Sequence, residues 1–134
     1  MNHYDVGMWG EELVAQRLSN AGEVELGAGP ADLTFEGVPV EVKTARLGWP
    51  RGRQRKPGFQ FCLHRDGRDG VEAPVVVFVL AGESIEFFIV PAEEIGAAKK
   101  AVIPAEVDGY TGKYAPYRDR WDVLAAYVPA TDSG

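Results

Sequence analysis

Ala31-Asp32-Leu33-Thr34-Phe35-Glu36-Gly37-Val38-Pro39-Val40-Glu41-Val42-Lys43-Thr44 is the stretch on which the reading of this chain turns. Two strand-like runs, Asp32 to Phe35 and Val38 to Thr44, flank Glu36-Gly37, a pair suited to a two-residue hairpin loop. With that loop, Phe35 faces Val38, and counting outward sets Asp32 opposite Glu41. Opposed residues of an antiparallel pair share a face and lie about 4.5–5.5 Å apart at Cα. Lys43, two residues beyond Glu41, projects from that same face, and Val42 faces the other way. A bulge or a longer loop would shift this register.

Two carboxylates brought this close repel unless something positive lies between them. A hard divalent cation with oxygen ligands, Mg²⁺ or Mn²⁺, meets that need, since it takes one or two carboxylates, keeps waters and binds a substrate phosphate. The Val42 carbonyl is a candidate further ligand. Lys43 would then orient an attacking water or offset charge on a scissile phosphate. The competing reading is a surface salt-bridge cluster. Against it, the strands are otherwise apolar at Leu33, Phe35, Val38, Val40 and Val42.

Upstream, Gly7 to Gly22 reads as a helix, with Met8, Val14, Ala15, Leu18 and Ala21 on one arc. Glu11 falls inside that apolar arc, whereas Glu12 falls on the polar side. A glutamate on a core-facing stripe is costly unless it is paired or meets a metal, so Glu11 is a fourth candidate, with a salt bridge beneath the helix as the alternative. Downstream, Thr44 to Arg65 carries Arg46, Arg51, Arg53, Arg55, Lys56 and Arg65 and no acid, in a chain of net charge −6 with 20 Asp and Glu against 14 Lys and Arg. A cationic segment on an anionic body suits a flap that meets phosphates. A solvated basic loop is the plainer alternative. Gln60 follows that segment on a strand-like run, Phe59 to His64, as an exposed residue or a nucleic-acid contact.

The rest of the chain completes the outline. Val75 to Leu80 is a continuous apolar run, typical of a strand buried on both faces. Ile85 to Val90 forms the next strand, Ala92 to Lys100 a short helical stretch, and Trp121, Leu124, Ala125 and Val128 the stripe of a last helix. The order predicts an α/β or α+β fold with a mixed central sheet, its early strands a meander. The 134 residues, 46% hydrophobic and 25% charged, fit a single ordered domain, 1–134. No run reaches the length of a membrane-spanning helix. The polar Met1 to Asp5 and the single Cys62 lead to the expectation of a cytoplasmic protein without disulfides. One cysteine and two histidines are too few for an ordinary zinc site.

Asp32, eight intervening residues, then Glu41-Val42-Lys43-Thr44, preceded by a helix carrying Gly10-Glu11-Glu12-Leu13, resembles the PD-(D/E)xK nuclease superfamily, in the group of small restriction endonuclease-like enzymes similar to archaeal Holliday-junction resolvases. Pro30-Ala31-Asp32 carries one residue more than the family's Pro-Asp. The resemblance covers about residues 7–95 and leaves 101–134 as an extension. It implies a four-stranded mixed sheet flanked by helices and Mg²⁺-dependent hydrolysis of phosphodiesters. It also implies Asp32 and Glu41 as metal ligands, Lys43 as the residue that positions the water, and Glu11 at a second metal or a metal-bound water. The partner so implied is nucleic acid, DNA before RNA, gripped by Arg46 to Lys56. A homodimer is expected if both strands of a duplex are cut. Two other readings stand beside it: a non-catalytic nucleic-acid-binding module or subunit on the same fold, and a protein-interaction domain whose cationic loop meets an acidic partner.

Overall fold

The computed structural model describes residues 3–27, 31–48, 56–65, 68–69 and 71–128, with the backbone alone at residues 3, 4, 64, 65, 68 and 69. In chain order these form α1 (His3–Ser19), β1 (Val24–Leu26), β2 (Leu33–Phe35), β3 (Val38–Arg46), β4 (Gly58–Cys62), β5 (His64–Arg65), β6 (Arg68–Asp69), β7 (Val75–Ala81), β8 (Ile85–Pro91), α2 (Ala92–Ile95), β9 (Lys100–Pro104) and α3 (Asp122–Ala125). A five-stranded mixed sheet in the order β1-β2-β3-β7-β8 is the spine. Its β3–β7 pair is parallel and its other pairs are antiparallel. The chain is therefore α+β with a mixed central sheet, one strand wider than the family resemblance implies.

The hairpin forms as its sequence dictates. Phe35 pairs with Val38 and Leu33 with Val40, and the two loop residues both take positive φ, 49° at Glu36 and 80° at Gly37. That is the backbone of a type I′ turn, whose twist matches the strands it joins. Glu36 holds this conformation while its backbone donates to the Glu23 carbonyl and its carboxylate accepts the Glu23 amide, which ties the turn to the entry of β1.

β7 lies between β3 and β8, and Val75 through Leu80 are all fully buried. Alternation splits them. Val75, Val77 and Val79 pack with Val14 and Leu18 of α1, with Val40 and Val42 of β3, and with Leu124 of α3. Val76, Phe78 and Leu80 pack with Phe59 and Phe61 of β4, with Ala101 and Ile103 of β9, and with Tyr114. One face of the sheet is thus covered by helices and the other by a two-stranded β4–β9 ribbon.

The early strands form a meander of three, and β4 leaves the sheet to pair with β9 across its face. Three expectations change. The helix expected from Ala92 to Lys100 stops at Ile95. Gly96, at φ 58°, ends it, and the chain re-enters as β9. On α1 the buried line is Val6, Gly10, Val14 and Leu18, whereas Met8 and Ala21 are exposed. The last helix is a single turn that buries Leu124 and leaves Ala125 out.

Candidate active site

β3 runs beside β7 in the middle of the sheet, so any side chain it directs inward is taken out of water. Glu41 is 3% exposed, the buried charged residue among those described. Lys43, in the next position on the same face, reaches it with Nζ 3.7 Å from Oε1. The amine is itself only partly exposed, so this ion pair is screened far less than a surface pair.

Asp32 stands one residue before β2. Its place opposite Glu41 follows from the observed register, but its carboxylate is engaged elsewhere: Oδ2 accepts the backbone N–H of Val42 at 2.8 Å. That bond fixes Asp32 at the mouth of the hairpin. Glu11 meets it from α1, half-buried as its place on the apolar arc requires, while Glu12 is exposed. The Glu11 carboxyl is held at a pKa of about 7 against an ordinary 4.5, by burial first, then by the Asp32 charge and a hydrogen bond between the two groups. A hydrogen bond between two carboxyl groups needs a proton on one of them, and the raised Glu11 value favours that protonated form.

Helix and strand approach closely enough for this because residue 10 lacks a side chain. A Cβ on Gly10 would overlap the Thr44 hydroxyl and stand 2.9 Å from Thr44 Cβ. Thr44, which faces away from Lys43, therefore lies directly under α1. Its Oγ1 is buried without a hydrogen-bond partner among the described residues.

The candidates thus form two pairs, Glu11 with Asp32 and Glu41 with Lys43. Among the described residues no group of three His, Cys, Asp or Glu side chains stands close enough to hold a metal ion. The Val42 amide holds the Asp32 carboxylate, and Lys43 pairs with Glu41. The Val42 side chain is buried on the α1 face of β3. Arg46 and Lys56 are exposed, and Gln60 lies exposed on β4. Arg51, Arg53 and Arg55 lie outside the described residues. Arg118 and Arg120 are engaged by acids: Arg118 by Glu86 at 3.0 Å and Asp108 at 2.8 Å, Arg120 by Asp122 at 2.8 Å.

Residues missed by the sequence reading lie on β9. Lys100 and Val102 face outward beside Cys62 and Gln60, while Ala101 and Ile103 face in. The alternation of Lys100 to Ile103 was the available signal, and its first residue was taken as the end of the expected helix.

A helix, a hairpin with paired acids at its mouth and a parallel strand thus make up the site. The chain shares its fold with a bacterial homing endonuclease. That enzyme, I-Ssp6803I, superposes with a TM-score of 0.66 at 16% sequence identity, over 96% of this chain and 99% of its own. No protein-family model matches the sequence, and no curated protein matches it.

Proposed function

We propose that the chain is a metal-dependent endonuclease of the PD-(D/E)xK kind, hydrolysing phosphodiester bonds in DNA. The observation that carries this is the Glu11–Asp32 carboxylate pair beside the buried Glu41–Lys43 ion pair. The fold shared with a homing endonuclease supports it.

The donor set suits a hard divalent ion. Glu11 and Asp32 are all-oxygen ligands already in contact, and the proton they share marks where positive charge is wanted. Asp32 would hold Mg²⁺ or Mn²⁺ with Glu11 on one side and Glu41 in the adjoining register position on the other, and the Val42 carbonyl as a further donor. Since the three acids do not meet as one cluster beforehand, ion binding and side-chain rearrangement are coupled. The bound ion would supply Lewis-acid polarisation of the phosphate and a more acidic water.

The chain's own groups have defined tasks in this reading. The Val42 N–H fixes the orientation of Asp32. Glu41 holds the Lys43 amine in place, Nζ 3.7 Å from Oε1. Lys43 would donate to the attacking water or to a non-bridging oxygen, offsetting negative charge as it grows in the transition state. Arg46 and Lys56 would bind the backbone without reading bases, and cutting both strands of a duplex would take two copies.

The test is a cleavage panel of duplex, single-stranded and branched DNA, and of RNA, with Mg²⁺, Mn²⁺ or EDTA. Cleavage of DNA that needs the ion and vanishes in Asp32→Asn, with binding retained, is expected. Binding without cleavage on every substrate would overturn the enzyme. One observation favours that second outcome, a non-catalytic binding module on this fold: among the described residues no ready-made three-carboxylate seat is present.

A further inference from the structure

We infer that the outer face of the β4–β9 ribbon is a docking surface for the major groove of double-stranded DNA. This rests on the proposed nucleic-acid reading and goes past it in naming the surface, the groove and the duplex form.

The first observation is a charge partition that only the fold reveals. Thr44 to Arg65 has no acid, and neither does Ile95 to Ala105, which lies between Glu94 and Glu106. Together the two windows hold 8 of the 14 Lys and Arg and none of the 20 Asp and Glu. In sequence they are about thirty residues apart, but β4 and β9 pair, with Gln60 opposite Val102 and Cys62 opposite Lys100. The described stretches Lys56 to Leu63 and Ile95 to Ala105, which hold Lys56, Lys99 and Lys100 and no acid, are therefore one surface.

The second observation is orientation. The inner side chains Phe59, Phe61, Ala101 and Ile103 pack on the sheet, so Gln60, Lys100 and the 43% exposed Val102 face solvent, with Lys56 and Lys99 at the flanks. Ala45, two residues past Lys43 on the same face of β3, packs against this ribbon's inner side. The ribbon thus stands on the Lys43 side of the sheet.

The third is shape. The major groove of B-form DNA, about 12 Å wide, admits a two-stranded β-ribbon, whereas A-form RNA has a deep major groove too narrow for side chains to read. On the ribbon Gln60 has the donor and acceptor that match an adenine edge, Val102 offers an apolar contact for a thymine methyl, and Lys99 and Lys100 reach phosphates. Past Pro104 the surface changes sign. A cavity of about 490 Å³ there is lined by Glu83, Glu86, Glu106 and Asp108 among others, and it would repel the duplex and bound its footprint.

The experiment is fluorescence anisotropy in EDTA with a labelled mixed-sequence DNA duplex, the matching RNA duplex and single-stranded DNA. Lys99→Ala/Lys100→Ala is expected to weaken duplex DNA binding about tenfold and to lower the salt slope by about two, one for each phosphate left without its lysine. Replacing adenine by 7-deazaadenine, which lacks the major-groove N7 acceptor, is expected to weaken wild-type binding and to leave Gln60→Ala unaffected. These positions lie on the outer side of the ribbon, and a thermal melt confirms that the variants fold. Unchanged binding in the lysine variant, no effect of 7-deazaadenine on the wild type, equal affinity for the RNA duplex, or a wild-type chain that ignores duplex DNA would each overturn the surface. Wild-type cleavage with unaltered ribbon variants would remove the ribbon and keep the nuclease. Ribbon-dependent binding without cleavage would do the reverse.

Discussion

At the scale of single residues, Glu11 makes stability depend on pH. Its carboxyl titrates at about 7 in the folded chain and near 4.5 in an unfolded one, so between these values the folded state binds more protons. The associated stability is fully present below pH 4.5 and is lost as pH rises through 7. With the discount its partial exposure requires, the loss is about 1–2 kcal/mol. Urea melts at about pH 5 and pH 8, either side of the folded-state value, measure it. Glu11→Gln, which keeps a hydrogen-bond donor beside Asp32 at all pH values, is expected to flatten the dependence. Lys43 is a second case. Lys43→Met removes the cation 3.7 Å from a buried carboxylate, so a loss of about 1–3 kcal/mol is expected, along with loss of any cleavage. Lys43→Arg, which keeps the charge, should recover the stability and not the activity if the amine touches the water. Asp32, Glu41 and Lys43 were legible because a two-residue turn with period-2 alternation fixes who faces whom. What the hairpin count left out was the Val42 amide, since a backbone group leaves no mark in a sequence pattern.

At the scale of elements, α1 and β3 meet through Gly10 and Thr44. Gly10→Ala drives a methyl into the Thr44 side chain, and an overpacked contact of this kind costs about 1–3 kcal/mol. Thr44→Ala alone is expected to be nearly neutral, because the hydroxyl it removes is buried without a hydrogen-bond partner among the described residues. The double variant should regain part of the loss, a coupling that a double-mutant cycle of melts reads directly. Failure of the second change to relieve the first would mean that α1 does not rest on Thr44. Strands with a strong pattern, β3 and β7, were readable at nearly their full length, since burial on one or both faces imposes alternation or an unbroken apolar run. β9 was not. Its five residues follow a stretch of helix-compatible Ala and Lys, and its partner β4 lies far back in the chain, so only the tertiary pairing decides its state.

At the scale of the molecule, the segment beyond residue 100 is structural mortar rather than an appendage. β9 supplies β4 with its pairing partner. Tyr114 fills the ribbon-side core with its ring edge toward Phe78, centroids 5.6 Å apart, and Leu124 is fully buried in the helix-side core. Arg118 bridges to Phe88 at the edge of β8, and the Asp119 amide donates to the Phe87 carbonyl, which closes a sheet edge otherwise open to pairing. Trp121 packs on Phe87 and lies under the Arg17 guanidinium of α1. The tail thus touches both faces of the sheet and the first helix, and the two cores stand or fall together. Leu124→Ala is expected to cost about 2–5 kcal/mol. A chain ended at Gly96 would leave β4 without a partner and expose Phe59, Phe61 and Phe78, and it is expected to show no cooperative thermal transition by circular dichroism. Adding a peptide of residues 97–128 in trans should restore a transition if the loss comes from these contacts. A truncated chain that still melts cooperatively would show that residues 3–95 carry a complete core, with the later elements laid on its outside.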